Sequence, residues 1–257
     1  MRPLAELDAR AVRAVLLDID DTLTTGGKLT ARAYSALERL HAAGKIVVPV
    51  TGRPAGWCDH IARMWPVDAI VGENGAFYFF FTNARLHKRY ADSLEERRKK
   101  RERLEALVPA ILQAVPGSAL ASDQAYRETD IAIDYCEDVP ALSLADAERI
   151  AGLMRKAGLT AKVSSIHVNG WFGDYDKLAM TKVLFRERFA IDLDAESTSV
   201  LFVGDSPNDA PMFRFFAHSV AVANIRRFSA HLEAAPKFVT REEAGAGFAE
   251  LVEHLLA

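Results

Sequence analysis

The sequence predicts an α/β protein: a doubly wound parallel sheet whose chain is interrupted by an inserted α+β unit. Three observations carry that expectation. Short apolar runs of strand length alternate with segments apolar at helical spacing, the pattern of a parallel sheet with right-handed crossovers. The alternation breaks off after Phe81 and returns near Lys177. Each apolar run of the alternating part ends in a polar tip, and in open parallel sheets ligands sit beyond the carboxyl ends of the strands.

In order along the chain, Val12–Leu17 reads as a buried strand that runs into Asp18-Ile19-Asp20-Asp21-Thr22 and then the turn Gly26-Gly27. Leu29–Ala43 has helical spacing, with Thr30 as N-cap and Gly44 as stop. Ile46–Val50 is a second strand ending at Thr51-Gly52-Arg53-Pro54, followed by a helix over 56–64. Ala69–Val71 is a third strand ending at Gly72-Glu73-Asn74-Gly75. Phe77–Phe81 and Arg85–Tyr90 pair as a hairpin, and Leu94–Ala114 forms a long helix. Its basic run, Arg97 to Arg103, reads as a solvated face because Leu94, Leu104, Leu107, Val108 and Ile111 supply an apolar side. Thr129–Tyr135, Ala161–Ile166 and Val168–Phe172 alternate as strands, and Leu144–Ala157 is a helix stopped by Gly158. The parallel pattern returns with a helix over 177–189. A strand Ser199–Val203 follows, ending at Gly204-Asp205-Ser206-Pro207-Asn208-Asp209. His218–Ala223 and Lys237–Thr240 complete the sheet, and the last helix covers 248–256. The expected division is residues 1–81 with 173–257 as one unit and 82–172 as the insertion.

With 257 residues, half of them hydrophobic, the chain can bury a sizeable core. A net charge of −3 gives no basic field for nucleic acid or an anionic membrane, so neither is an expected partner. No apolar run reaches membrane-spanning length. Met1–Arg13 is charged and lacks the apolar core of a signal peptide, and Cys58 and Cys136 form no disulfide framework; both point to the cytoplasm. The expected assembly is a monomer or a homodimer.

Like charges at the edge of a core are costly unless a cation or donors share the site. Two strands far apart in sequence each end in paired acids, Asp18/Asp20 and Asp205/Asp209. Converging on one sheet edge, they make an oxygen-ligand site for a hard cation.

These motifs together resemble the haloacid dehalogenase superfamily of phosphatases with a class IIB cap, over nearly the whole chain. Asp18-Ile19-Asp20-Asp21-Thr22 is similar to the family's first motif, Thr51-Gly52-Arg53 to its second and Gly204-Asp205-Ser206-Pro207-Asn208-Asp209 to its fourth. For the third, a lysine near a helix start, Lys177 fits best and Lys182 is the rival. Asp21 stands where the family usually has glycine. The resemblance implies a Rossmann-like core, a cap over the active site and Mg²⁺ as cofactor. It implies Asp18 as nucleophile, Asp20 as general acid and base, and Thr51, Gly52 and Lys177 on the phosphoryl group. The metal would be held by Asp18, Asp205, Asp209 and the backbone carbonyl of Asp20. Asn208 would help to position Lys177 or Asp209. Arg53 either meets substrate or forms a structural ion pair, and Asn74 either meets substrate or caps a turn. His167 and Asn169 lead back from the insertion with polar side chains suited to hydroxyls, with Arg127-Glu128 a second candidate pair. His167 serves equally as a surface histidine. The implied substrate is a small phosphorylated metabolite of the sugar phosphate class. The alternatives are a hexose-phosphate phosphomutase and a catalytically silent binding protein on the same fold.

Overall fold

The computed structural model describes the backbone of all 257 residues and every side chain except those of Ala230 and His231. In chain order the strands and helices are β1 (Arg2–Pro3), β2 (Ala14–Leu17), α1 (Ala31–Ala42), β3 (Ile46–Pro49), α2 (Ala55–Met64), β4 (Ile70–Gly72), β5 (Phe77–Thr82) and β6 (Arg85–Tyr90). Then come α3 (Leu94–Ala114), β7 (Ala119–Leu120), β8 (Ile131–Asp134), α4 (Leu144–Lys156), β9 (Thr160–Val163) and β10 (His167–Trp171). The rest are α5 (Lys177–Leu184), α6 (Leu193–Glu196), β11 (Val200–Gly204), α7 (Ala210–Phe215), β12 (His218–Ala221), β13 (Phe238–Val239) and α8 (Ala244–Leu255).

A six-stranded sheet in the order β1-β13-β12-β11-β2-β3 forms the base, and every pairing in it is parallel. Its strands are apolar on both faces, as a sheet covered by helices on each side must be. Val15, Leu17, Val47, Leu201 and Val203 face α1 and α8, while Leu16, Val48 and Phe202 face α5 and α7. The bridge Val50–Val71 carries the sheet on to β4, which pairs antiparallel with β5, and β5 with β6. Arg85–Tyr90 therefore stays with this three-stranded sheet, against which α2 packs Cys58 and Ile61. The inserted α+β unit has its own four-stranded antiparallel sheet, β7-β8-β10-β9. It also has its own core, in which Leu104 and Ile111 of α3 and Ile150 and Met154 of α4 pack on Ile131, Ile133 and Val168. No helix among the described residues is long and apolar enough to cross a membrane.

Some expected boundaries move, each for a local reason. The strand expected over Ala161–Ile166 ends at Val163 because the Ser164 hydroxyl takes the His167 N–H at 3.0 Å and turns the chain. The helix expected to run to Phe189 leaves α geometry after Leu184 and finishes in a wider turn, closed by Ala190 at φ 56°. The last helix starts at Ala244, four residues early (248 − 244), under the amide of Asn224, whose oxygen accepts the Ala244 N–H.

One residue in the turn between β4 and β5 has no substitute. Gly75 has φ +104°, and a Cβ there would lie 2.0 Å from the carbonyl oxygen of Asp176, the residue that caps α5. Gly75→Ala is expected to cost at least the roughly 1–3 kcal/mol of a strained backbone position and to displace Lys177 with the start of α5. Thermal unfolding and phosphatase assays of the variant check this: both Tm and activity should fall.

Candidate active site

β2 and β11 are neighbours in register, Leu17 opposite Val203, so the residues that follow them emerge side by side. The Asp18 N–H donates to the Val203 carbonyl, which fixes the first acid against the second strand. Asp209 returns in the tight turn Pro207–Asp209, where its Oδ2 accepts the Asp205 N–H at 3.2 Å. That return needs Gly204, since a Cβ there would sit 2.3 Å from Asp209 Oδ2. One carboxylate oxygen from each of Asp18, Asp205 and Asp209 lies within 4.8 Å of the others, and all three residues are buried.

Lys177, the first residue of α5, meets this group. Its Nζ donates to Asp18 Oδ1 at 2.7 Å and to Asp209 Oδ1 at 2.8 Å. Burial works against the ammonium, but the two carboxylates outweigh it and hold Lys177 protonated above its ordinary range. Asp205 pairs with no cationic side chain among the described residues; it accepts from the Thr22 hydroxyl and the Asn224 amide. One ammonium thus faces three buried carboxylates. An all-oxygen donor set with uncompensated negative charge is the chemistry of a hard divalent cation site, and Asp18, Asp205 and Asp209 fit that role. The Asp20 carboxylate lies outside this trio. Lys182, the rival for Lys177, pairs with Asp194 near the surface.

Thr51 is fully buried at the end of β3, and its Oγ1 accepts the Arg53 N–H at 3.0 Å, which leaves its own proton free to donate. Gly52 lines the cleft, with the Asn74 side chain packed against it. Asn74 has a left-handed backbone (φ 57°), and its buried amide nitrogen has no hydrogen-bond partner among the described residues. It is thus an unused donor beside the strand end as well as a turn residue.

Arg53 forms an ion-pair network. Its Nε and Nη2 hold the Asp20 carboxylate, at 3.0 and 2.8 Å, and Nη2 also donates to Glu137 Oε1 at 2.7 Å. Glu137 belongs to the inserted unit, so one guanidinium spans both parts of the chain. A second guanidinium does the reverse: Arg127 of the insertion donates to the Gly52 carbonyl at 2.9 Å while Asp123 and Asp130 flank it. Glu73 completes the seam, accepting the N–H groups of Ala55, Glu128 and Thr129 and the Thr129 hydroxyl.

His167 is no surface residue: it is buried, with Nε2 2.9 Å from Glu137 Oε2. Asn208, expected to help position Lys177 or Asp209, accepts the Ser206 hydroxyl through its Oδ1 at 2.7 Å, within the turn that carries Asp209. Asn169 donates to Asp130 at 3.0 Å, and both His167 and Asn169 line the cleft. Glu137, Asp123 and Asp130 escaped the sequence reading. For Asp130 a signal existed, since in the alternation through Thr129–Tyr135 it falls on the polar side, opposite Ile131 and Ile133.

Asp18, Asp20, Gly52, His167, Asn169 and Asn208 close around a space of about 20 Å³. That is close to the room one water needs, so this closed arrangement must open to admit any phosphate ester.

Burial, with Asp209 and Asp20 adding to it against the opposing pull of Lys177, pushes Asp18 up to about 7. Asp205 is pushed up as well, by burial and by Asp18, and Glu73 reaches about 7 through burial and Asp130. Relative to the ordinary values of 3.8 and 4.5, the folded chain binds these protons more tightly than the unfolded one. The associated stability is therefore present at low pH and is lost as pH rises towards about 7. The Tm of metal-free protein is expected to fall over that range. Mg²⁺ should raise Tm at the upper end and do little at the lower, where protons compete for the same oxygens. Thermal melts at several pH values with and without Mg²⁺ check it; a Tm insensitive to Mg²⁺ throughout would remove the cation from this site.

The sequence pattern of the haloacid dehalogenase-like hydrolases matches residues 15–101 and 163–252. The phosphoglycolate phosphatase of Methanothrix thermoacetophila is 24% identical over 253 residues, covering 96% of this chain and 98% of that one. Among solved structures, Thermoplasma acidophilum 0175 superposes with a TM-score of 0.71 at 17% identity, covering 95% of this chain and 98% of its own. A sugar phosphatase of subclass IIB of the same superfamily superposes at 0.62 and 16%, covering 95% and 98%.

Proposed function

Because the chain belongs to the haloacid dehalogenase-like hydrolases, with phosphatases among its relatives, we propose that it is a Mg²⁺-dependent phosphomonoesterase for a small, hydroxyl-rich metabolite of the sugar phosphate class. The observation that carries this reading is Lys177 bridging Asp18 and Asp209 beside Asp205, which pairs with no cationic side chain among the described residues.

In this reading an Asp18 carboxylate oxygen attacks phosphorus and the bond from phosphorus to the ester oxygen breaks. Asp20 gives its proton to the departing alkoxide, so an alcohol leaves and Asp18 carries the phosphoryl group. Asp20, now a base, takes a proton from water; the water oxygen attacks the phosphoryl group, inorganic phosphate departs and Asp18 is regenerated. Lys177 stabilises the charge shared by nucleophile and phosphate, and the Thr51 hydroxyl and the Gly52 backbone face phosphoryl oxygens. The Mg²⁺ that Asp18, Asp205 and Asp209 would hold supplies charge neutralisation, without which a carboxylate does not approach a phosphate dianion. Arg53 keeps the Asp20 carboxylate in one orientation.

The inserted unit, from α3 to β10, acts as a lid over the rest of the chain, opening for substrate and excluding water when shut. The Arg53–Glu137 and Arg127–Gly52 contacts support that closure. The subclass IIB neighbour, named a sugar phosphatase, supports the substrate class. The Methanothrix relative supplies a second reading, phosphoglycolate, which is also a small phosphate ester.

Asp18→Asn is expected to lower turnover by roughly 10³-fold or more, because an amide is a poor nucleophile of the same shape. Its Tm should hold or rise, since one buried carboxylate of the three loses its charge. Release of inorganic phosphate from p-nitrophenyl phosphate, with a parallel melt, checks both, and substantial turnover by the folded variant would displace Asp18 as nucleophile. With glucose 6-phosphate, stoichiometric phosphate release rather than isomerisation separates the hydrolase from a phosphomutase.

A further inference from the structure

Beside the closed cleft, sharing Asp20, Arg53 and Ile166 with it, lies a second space of about 240 Å³, lined also by Asp21, Thr24 and Glu137 among others. It is below the roughly 300–1,000 Å³ usual for ligand sites, so it suits a small alcohol. If Asp20 protonates the leaving oxygen, the rest of the leaving group extends into this space.

The charge there is lopsided. Asp20, Asp21 and Glu137 bring carboxylates and Arg53 brings one cation. That cation is already committed: besides Asp20 and Glu137, its Nη1 reaches Asp123 at 3.5 Å. The neighbouring guanidinium, Arg127, is enclosed by Asp123, Asp130 and the Gly52 carbonyl. His167 approaches the other oxygen of Glu137. His167 and Arg53 together hold the Glu137 carboxyl down at about 2, so it is ionised at neutral pH. The phosphate end of the cleft has Lys177 to receive an anion. The leaving-group end has acceptors and fixed negative charge, and no cation free to pair with an incoming one among the described residues that line it.

From this geometry we propose that Glu137 is a specificity-determining residue that selects leaving groups bearing hydroxyl donors and rejects those bearing a carboxylate. The proposal rests on the phosphomonoesterase reading above. A hydroxyl can donate to a Glu137 oxygen without disturbing Arg53. A carboxylate would face Glu137, Asp20 and Asp21 in a small space where fixed like charges repel it. It could bind only by taking Arg53 from its present partners, which would strand Asp20 or Glu137 unpaired.

The test uses the full chain with Mg²⁺ and three esters: glycerol 3-phosphate with a neutral diol leaving group, phosphoglycolate with a carboxylate, and p-nitrophenyl phosphate as reference. Wild type is expected to favour glycerol 3-phosphate over phosphoglycolate by at least about tenfold in kcat/KM, the effect of about 1.4 kcal/mol of discrimination. Glu137→Gln should raise the phosphoglycolate to glycerol 3-phosphate ratio about tenfold or more, mainly through KM for phosphoglycolate. Salt should narrow the wild-type discrimination by screening. Glu137→Ala serves as the second variant should the amide fail to fold, and should shift the ratio the same way. A residue of purely structural importance would lower all three esters in parallel and leave the ratio unchanged, which would overturn the proposal, as would a wild-type preference for phosphoglycolate. Turnover of p-nitrophenyl phosphate with an unmoved ratio would sink the role of Glu137 and leave the phosphatase reading intact. Turnover of none of the three would take both down.

Discussion

The contact between the Lys177 ammonium and the carboxylates of Asp18 and Asp209 is the interaction on which the catalytic end of this molecule depends. Without it, three acids from two strand ends would lie buried within 4.8 Å of one another with no positive charge among them. Removing the cation of a buried ion pair typically costs about 3–5 kcal/mol, because the acids are left uncompensated. Much of the local architecture serves to deliver that lysine. Gly75 lets the turn between β4 and β5 pass against Asp176, Asp176 caps α5 through the Ala179 N–H, and Lys177 is then the first residue of the helix. Since a single ammonium cannot balance three carboxylates, the same arrangement that stabilises Asp18 leaves Asp205 asking for a cation.

A second set of charges governs how the inserted unit meets the base. Arg53 and Arg127 cross the boundary in opposite directions, one from the base to Glu137 and one from the insertion to Gly52. Glu73 adds a carboxylate that collects donors from both sides. Polar seams of this kind are directional, so they define one closed geometry, whereas an apolar seam would tolerate sliding. Arg53 carries a double role in this seam, because the carboxylate it orients in the base, Asp20, is the proposed general acid. In the proposed reaction, closure of the lid and placement of that acid would share one guanidinium.

The inserted unit contributes side chains to the cleft. On β10, residues alternate between two environments: Val168 packs into the insertion's own core, while His167 and Asn169 face the cleft. The alternation of an antiparallel strand with one face buried in each direction accounts for this. Glu137 comes from the irregular segment after β8, where Asp134 accepts three successive N–H groups, from Cys136 to Asp138, and so fixes the turn that aims it.

Much of this was determined by the sequence alone. Strand runs such as Val12–Leu17 and Ser199–Val203 declare themselves because full burial on both faces demands unbroken apolar residues, and acids directly after them can only lie at the sheet's carboxyl edge. The hairpin at Phe77–Tyr90 and the capped helices follow from local rules of the same kind, whereas Lys177 joins Asp18 as a site residue only through the family resemblance. What only the tertiary structure decided is which charges meet across the boundary. Arg53 and Glu137 are 84 residues apart, and Arg127 and Gly52 are 75 apart. Neither separation leaves a periodic trace, because an ion pair between two packed units depends on where rigid elements stop and not on the residues beside it in the chain. His167 illustrates the same limit. Next to Ser164 and Ser165 it reads as easily as a surface residue, and only the fold of β10 against the base buries it beside Glu137.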